Sequence, residues 1–427
     1  MKIKWMTTIM LAGLSAQAIS ADTEITLGRF FGACENPSHI VAQSVGEACI
    51  IQSIIETLDK EDNGIGVTTL PTDWGNYYDQ IKASYAGGTP PDVHVMHKHR
   101  VAEFASIGVL AELSEAELKK YGIDMNDWTD RAKQAVSYQG KSFGVPMDFH
   151  ANLWHMNKDL FEKAGLVDDA GSPILPTTPS ELLLHAKQMK EKTGKAYLAA
   201  DFAQFPIGVR LILAFLWQQN SNIFDGNSVT IDTPETRAAI KTITDLFDSD
   251  YADPRLNYAE SQQAFLDGQS AVLVNGTWVV DFYSQQSQEK KVALSNYQIT
   301  SFPQLFDVPA TWGDSHIWVI PTSVRKDPGK YDAAMKTLAW IYKHNLDWAR
   351  TGHMSIRKSV LNSSEYKTLP HRDEYVTTAE IVGDTPPSIK YGAIQDVLNR
   401  EFQSIWLTGK SINDALEDAQ LDIEDLR

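Results

Sequence analysis

The sequence predicts an α/β fold in which a sheet of mostly parallel strands is flanked by helices. Two observations carry that prediction. Between Glu24 and Met96 the pattern runs strand, helix, strand, helix, strand, and parallel neighbours need helical crossovers of this kind. The chain is also long enough, at 427 residues with 43% hydrophobic and 22% charged side chains, for two or three domains with cores of their own.

Each element has a local reason. Glu24 to Phe31 alternates as a buried strand does, and Val41 to Leu58 repeats its apolar residues at helical spacing. Gly64 to Val67 opens a strand that ends near Leu70, followed by a helix over Asn76 to Tyr85 and a strand over Asp92 to Met96. Tyr138 to Val145 reads as a hairpin closed at Gly140, and Pro146 stops its second strand. Asn157 to Leu160 opens the next helix, which runs to the stop signal at Gly165. Thr178, Pro179 and Glu181 make a capped start for a helix that ends near Gly194. Helices are expected over Pro206 to Gln219, Pro234 to Phe247, Glu260 to Leu266 and Tyr331 to Arg350, with strands at Ser270 to Asn275 and His316 to Ile320. Two helices, Ile394 to Leu407 and Ile412 to Leu426, close the chain.

Charge and the chain ends narrow the class. The formal charge of −17, from 55 acidic against 38 basic side chains, argues against nucleic acid or an anionic membrane surface as partner. Lys2 and Lys4, the apolar stretch Trp5 to Leu14, and small residues at Ala16, Ala18 and Ala21 have the layout of a secretory signal, so the mature chain should begin near Ile19 or Asp22. In an exported chain the two cysteines, Cys34 and Cys49, favour a disulfide over two buried thiols.

The candidate chemistry centres on Gly140 to Leu166. Period-two alternation places Asp148, His150, Asn152 and Trp154 on one face of an extended segment. A carboxylate, an imidazole, an amide and an indole together suit sugar hydroxyls and C–H faces better than they suit a core. Because ligands of open α/β sheets bind at the carboxyl ends of strands, Phe30, Phe31, Trp74 and the run Met96 to Arg100 join the candidates. Trp278 and Trp312, beside glycines at element ends, join as exposed aromatic surfaces, whereas Trp340, Trp348 and Trp406 read as packing residues.

Several motifs point to other chemistry and are weighed against context. Gly140-Lys141-Ser142-Phe143-Gly144 matches the nucleophile elbow of hydrolases, but an elbow serine needs a helix behind it, and Phe143 to Pro146 is extended. Gly140 to Ser142 also resembles the end of a phosphate-binding loop, yet Ala135 stands where its first glycine belongs. Asp314-Ser315-His316 fails as a catalytic triad because neighbours on a strand point to opposite faces. His94, His97 and His99 admit metal binding, hydrogen bonding to ligand hydroxyls or plain solvation; alternation sets His97 and His99 on one face and His94 on the other. Hydrogen bonding fits best, because Lys98 and Arg100 disfavour a cation.

An ordered set of segments resembles the extracellular solute-binding proteins of ABC importers, in the carbohydrate-binding family that includes the maltose-binding protein. The segments are Gly88 to Val93, Asn157 to Phe161, Phe265 to Ala271 leading to Asn275 to Trp278, Trp312 to His316, and Thr408 to Lys410 with Ala415 and Leu416. The resemblance covers nearly the whole mature chain and implies a two-lobed type II periplasmic binding protein fold, each lobe a mixed, mostly parallel sheet flanked by helices. Residues 22–146 and 316–352 would form one lobe, and 147–315 with 353–427 the other, after a signal peptide at 1–21. Hinge crossings would fall near Pro146, near His316 and at Gly352 to Ser355. Contacts to a captured sugar would come from Phe31, Trp74, Met96, His97, His99, Arg100, Asp148, His150, Trp154, Trp278, Trp312, Asp314, His353 and Arg357. Met96 stands where a relative has tryptophan, and His99 where relatives carry a carboxylate beside the arginine, which loosens the expectation of a neutral glucoside.

These readings converge on a periplasmic monomer that needs no metal or cofactor and delivers a sugar, a di- or oligosaccharide, to a membrane permease. Two rivals remain: an exported glycosidase using Asp148 and Asp314, and a metal- or anion-binding module using the histidine cluster.

Overall fold

The computed structural model describes residues 23–36, 38, 40–61, 64–225, 228–383, 385, 388 and 390–426. The expected signal peptide, residues 1–21, lies outside them. Among the described residues no helix is long and apolar enough to cross a membrane.

Two five-stranded sheets organise the chain. The first runs in the order Ile65–Pro71, Thr23–Arg29, Val93–His97, His316–Val319, Val145–Pro146. Its first three strands are parallel, with Thr23 opposite Ile65 and Leu27 opposite Val93. The helices Gly46–Asp59 and Trp74–Ala86 supply the crossovers that parallel pairing requires. His316–Val319 returns antiparallel to both of its neighbours, with His316 opposite His97 and Ile317 opposite Pro146.

The second sheet orders Tyr297–Thr300, His150–Asn157, Ser270–Gly276 and Ala196–Ala199, and Gly313–Asp314 pairs with the start of His150–Asn157. Here Ser270–Gly276 is parallel to Ala196–Ala199, while every pairing of His150–Asn157 is antiparallel. That strand enters directly from the first sheet and runs against the strands that follow it.

Burial explains why alternation along His150–Asn157 misleads. All eight of its residues are buried, because both faces of the second sheet are covered. Trp154 and Met156 enter one core with the helix Ile207–Gln218, whose twelve residues are all buried, while Ala151 and Leu153 enter another with Leu273 and Tyr283. Trp154 is therefore a core residue, packed edge-on against Phe302, and the expectation that it meets ligand is corrected. Met96 is likewise fully buried in the core of the first sheet with Val95 and Trp318.

Other local readings shift slightly. The hairpin Ser137–Tyr138 with Lys141–Ser142 turns through Gln139 at φ 49° and Gly140 at φ 77°, the paired positive values of a tight two-residue turn. The helix Pro179–Thr193 is capped by the Thr178 hydroxyl, but the Glu181 carboxylate reaches one residue further back, to the amide and hydroxyl of Thr177. Strand Val93–His97 ends where the helix Lys98–Ser106 begins, so His97 and His99 do not share a strand face. At Gly352 a φ of 120° and a Cβ position 1.8 Å from the Thr277 carbonyl oxygen exclude any side chain.

Cys34 and Cys49 are joined in a disulfide across a sequence separation of 15. The bridge ties the loop after the strand Thr23–Arg29 to the helix Gly46–Asp59. Replacing both cysteines by alanine should lower the unfolding free energy by about 3 kcal/mol on a chain-entropy argument. Denaturant titration of the two proteins tests this, and equal stabilities would show that the link does not constrain the unfolded chain.

Candidate functional site

The carboxyl ends of the parallel strands and the facing elements of the second sheet enclose a cavity of about 460 Å³, within the ~300–1,000 Å³ range of small-molecule sites. From the first sheet come Phe30 and Phe31 after Thr23–Arg29, Trp74 after Ile65–Pro71, His97 at the end of Val93–His97, and His316. From the second come His150, Trp278, Tyr258, Phe205 and Arg210. Trp74 meets Phe205 edge-on at 4.5 Å across the cavity, and the Trp278 indole donates to the Tyr258 hydroxyl at 2.8 Å.

Behind one wall lies a fully buried carboxylate, Asp148. It accepts Nδ1–H of His150 at 3.0 Å and of His316 at 2.7 Å, the Trp348 indole N–H at 2.7 Å and the His316 backbone amide at 3.1 Å. His353 Nε2 is 3.7 Å away. Burial alone would raise this carboxyl, but the neighbouring His316 and His353 and the hydrogen bonds hold it well below the usual range. Asp148 thereby holds the rings of His150 and His316 by Nδ1 and leaves Nε2 of neutral His150 as an acceptor.

His97 is oriented the other way. The Tyr78 oxygen accepts the His97 backbone N–H at 2.8 Å and lies 2.6 Å from Nδ1, so the hydroxyl proton goes to Nδ1 and the imidazole proton sits on Nε2. Burial lowers the His97 and His99 imidazoles, the former well below its ordinary value. Glu47, also lining the cavity, is raised well above the carboxylate range by burial and by Asp148.

The candidates from the sequence thus separate into groups. Phe31, Trp74, His97, His150 and Trp278 line the cavity. Asp148, His353, Trp312, Asp314 and His99 stand behind it: His99 is paired with Asp314, and the Trp312 ring underlies Arg210 at 3.9 Å. Arg100 and Arg357 are committed elsewhere, to Glu103 and the Tyr78 ring and to Asp127 at 2.8 Å respectively. Sequence reasoning missed Glu47, Gln204, Phe205, Arg210 and Tyr258. Arg210 left a signal, as one charge in the otherwise apolar run Ile207 to Trp217.

The rival chemistries fare differently from their sequence form. His94 bonds the Tyr85 hydroxyl, His97 Tyr78 and His99 Asp314, so that triplet does not converge. The groups that do converge are Asp148, His150, His316 and His353, with ligand atoms within 4.8 Å of one another, and hydrogen-bond donors already occupy Asp148. Asp314, pulled to about 2 by His99 against the effect of burial, and Asp148 are both ionised at neutral pH.

Burial holds His94 and His150 down to about 4 and His155 to about 3, so the native protein keeps them neutral while the unfolded chain protonates them below ~6.5. Their stabilising contribution is complete above that value and falls as pH drops through the window from 6.5 to 4. Between pH 7 and pH 5 each should remove about 2 kcal/mol, with proton uptake on unfolding. Calorimetric melting across that range measures it, and a flat Tm would refute neutral burial.

Comparison with known proteins places the fold. Residues 46–344 match the family model described as bacterial extracellular solute-binding protein. A binding protein of Brucella abortus is 23% identical over 439 residues, covering 97% of each chain, and the maltotriose-binding protein of Pyrococcus abyssi is 22% identical, covering 74% of this chain and 65% of its own. Among solved structures, maltose-bound MalE3 of T. maritima superposes with a TM-score of 0.81 at 20% identity, covering 95% of this chain and 100% of that one. The GacH receptor of Streptomyces glaucescens gives 0.79 at 20% identity, covering 94% and 98%. With a two-lobed α/β architecture and a family match over more than half its length, the chain belongs to the bacterial extracellular solute-binding proteins.

Proposed function

We propose that this protein captures a sugar between two closing lobes in the periplasm and hands it to an ABC permease without transforming it. The observation that carries the reading is the cavity between the two sheets, with aromatic faces from Trp74, Phe205 and Trp278 and hydrogen-bonding groups from His97, His150 and His316. Aromatic faces suit the C–H surfaces of a pyranose, and fixed imidazole donors and acceptors suit its hydroxyls. The maltose- and maltotriose-binding relatives support the sugar class. The lobes are 22–146 with 316–352 and 147–315 with 353–427, in keeping with chain passages between the sheets at 146–150 and at Ser315.

Thermal-shift screening of the mature protein against mono-, di- and oligosaccharides tests the proposal, since a ligand bound only by the native state raises Tm. A sugar that stabilises and is recovered unchanged is the expected result. Turnover would favour an enzyme, and no shift with any sugar would overturn the sugar class.

Trp278 offers a sharper test. Half-buried and tethered through its indole N–H to Tyr258, it presents a face to the cavity, so Trp278→Ala should weaken sugar binding at least tenfold, about 1.4 kcal/mol. Calorimetric affinity and the denaturation midpoint are read on the same variant. A stability loss of about 3–5 kcal/mol with unchanged affinity would make Trp278 a packing residue instead.

A further inference from the structure

The cavity holds a cation with no ion-pair partner among the described residues. Arg210, 5% exposed, projects from the buried helix Ile207–Gln218 and lines the cavity. Its guanidinium lies 3.9 Å from the ring centre of Trp312, 5.7 Å from that of Trp74 and 5.9 Å from that of Trp278. Three indoles thus surround the charge and supply cation–π attraction, but ring faces do not replace the hydrogen bonds of five N–H donors. Its Nε is buried with no hydrogen-bond partner among the described residues.

The acids whose fields reach Arg210 are committed elsewhere. Asp314 pairs with His99. Asp201 accepts the backbone amides of Ala203 at 3.2 Å, Gln204 at 2.8 Å and Phe205 at 3.0 Å. Of the carboxyls lining the cavity, Glu47 lies 3.4 Å from Nε2 of His353 and Asp73 caps the helix Trp74–Ala86 through Asn76. Burial lowers the Arg210 guanidinium to about 10, which still leaves it fully charged at neutral pH. His97, with its proton on Nε2, adds a neutral donor to the same cavity.

We propose that the captured sugar is a monoanionic sugar acid whose oxyanion pairs with Arg210, the carboxylate of a hexuronate being the simplest form. This rests on the sugar-capture reading and names its ligand class. A guanidinium fork matches a carboxylate in two parallel N–H···O bonds, and a desolvated pair of this kind discriminates strongly against an uncharged analogue. A single unpaired cation suits one negative charge. A phosphate ester, which carries nearly two at neutral pH, would leave one uncompensated. His150, whose Nε2 accepts, then serves a hydroxyl proton of the sugar.

The test is isothermal titration of the mature wild-type protein with glucuronate, galacturonate, their dimers, the matching neutral sugars, a 6-sulfonated hexose and a hexose 6-phosphate, repeated with Arg210→Gln and Arg210→Lys. The wild type should bind an acid at least 100-fold tighter than its neutral parent, with the phosphate weaker than the monoanions. The carboxylate and sulfonate arms identify which acid group the site takes. Arg210→Gln should abolish the preference, and Arg210→Lys should keep part of it, since charge remains while the fork is lost. The wild-type ratio is read without any variant, so a folding defect in either variant does not rescue the idea. A neutral sugar bound as tightly as its acid would overturn this inference and leave sugar capture standing. Binding of no sugar in either series would overturn both.

Discussion

Everything in the cleft depends on keeping one buried carboxylate charged. Asp148 has no exposure to solvent, and a desolvated carboxylate is tolerated only when donors replace its water. Those donors come from three separate stretches of chain. Asp148 and His150 lie where the chain leaves the first sheet for the second, His316 begins the strand that returns to the first, and Trp348 and His353 come from a later stretch of chain. Removing one partner of such a group typically costs about 3–5 kcal/mol, because the remaining charge is stranded. The carboxylate therefore pins the crossings to one another and sets the position of two rings that line the cavity.

That arrangement gives the cavity a fixed polarity. His150 is held as an acceptor and His316 is oriented by Asp148, and His97 is held as a donor by Tyr78. A sugar hydroxyl both donates and accepts, so a cleft with fixed donors and fixed acceptors selects among the orientations of a ring that its aromatic walls hold by their faces. The walls themselves are coupled across the cleft: Trp74 rests on Phe205, and the Gly46 amide donates to Asp281 at 3.0 Å. On the proposed reading these contacts separate when the lobes open, whereas the Asp148 cluster, lying at the crossings, stays assembled.

Much of this was legible in residues whose signal is local. Strand ends marked by Phe30, Phe31, Trp74 and His97 follow from the strand–helix alternation, and all four line the cavity. Trp154 was not legible, because alternation reports that two faces differ and says nothing of what covers them; here helices bury both. His99 and Arg100 carried the right composition in the wrong geometry, since the turn into the helix at Lys98 sends them to Asp314 and Glu103. Glu47 and Tyr258 sit on helices far apart in sequence, and nothing in either helix's pattern separates a cavity-facing side chain from a solvated one.

In the run Ile207 to Trp217 a single arginine interrupts an apolar stretch, and a helix buried on every side cannot hide a guanidinium by snorkelling to water. Burying it requires either an acid from a neighbouring element or a ligand. The fold supplies indole faces and diverts the nearby carboxylates to His99 and to backbone amides. With 5% of its surface exposed, Arg210 has little room for water around its charge, so an anion that enters displaces little of it. Stabilisation that a solvated surface arginine would lose to water is then available to discriminate between an acid and its neutral analogue.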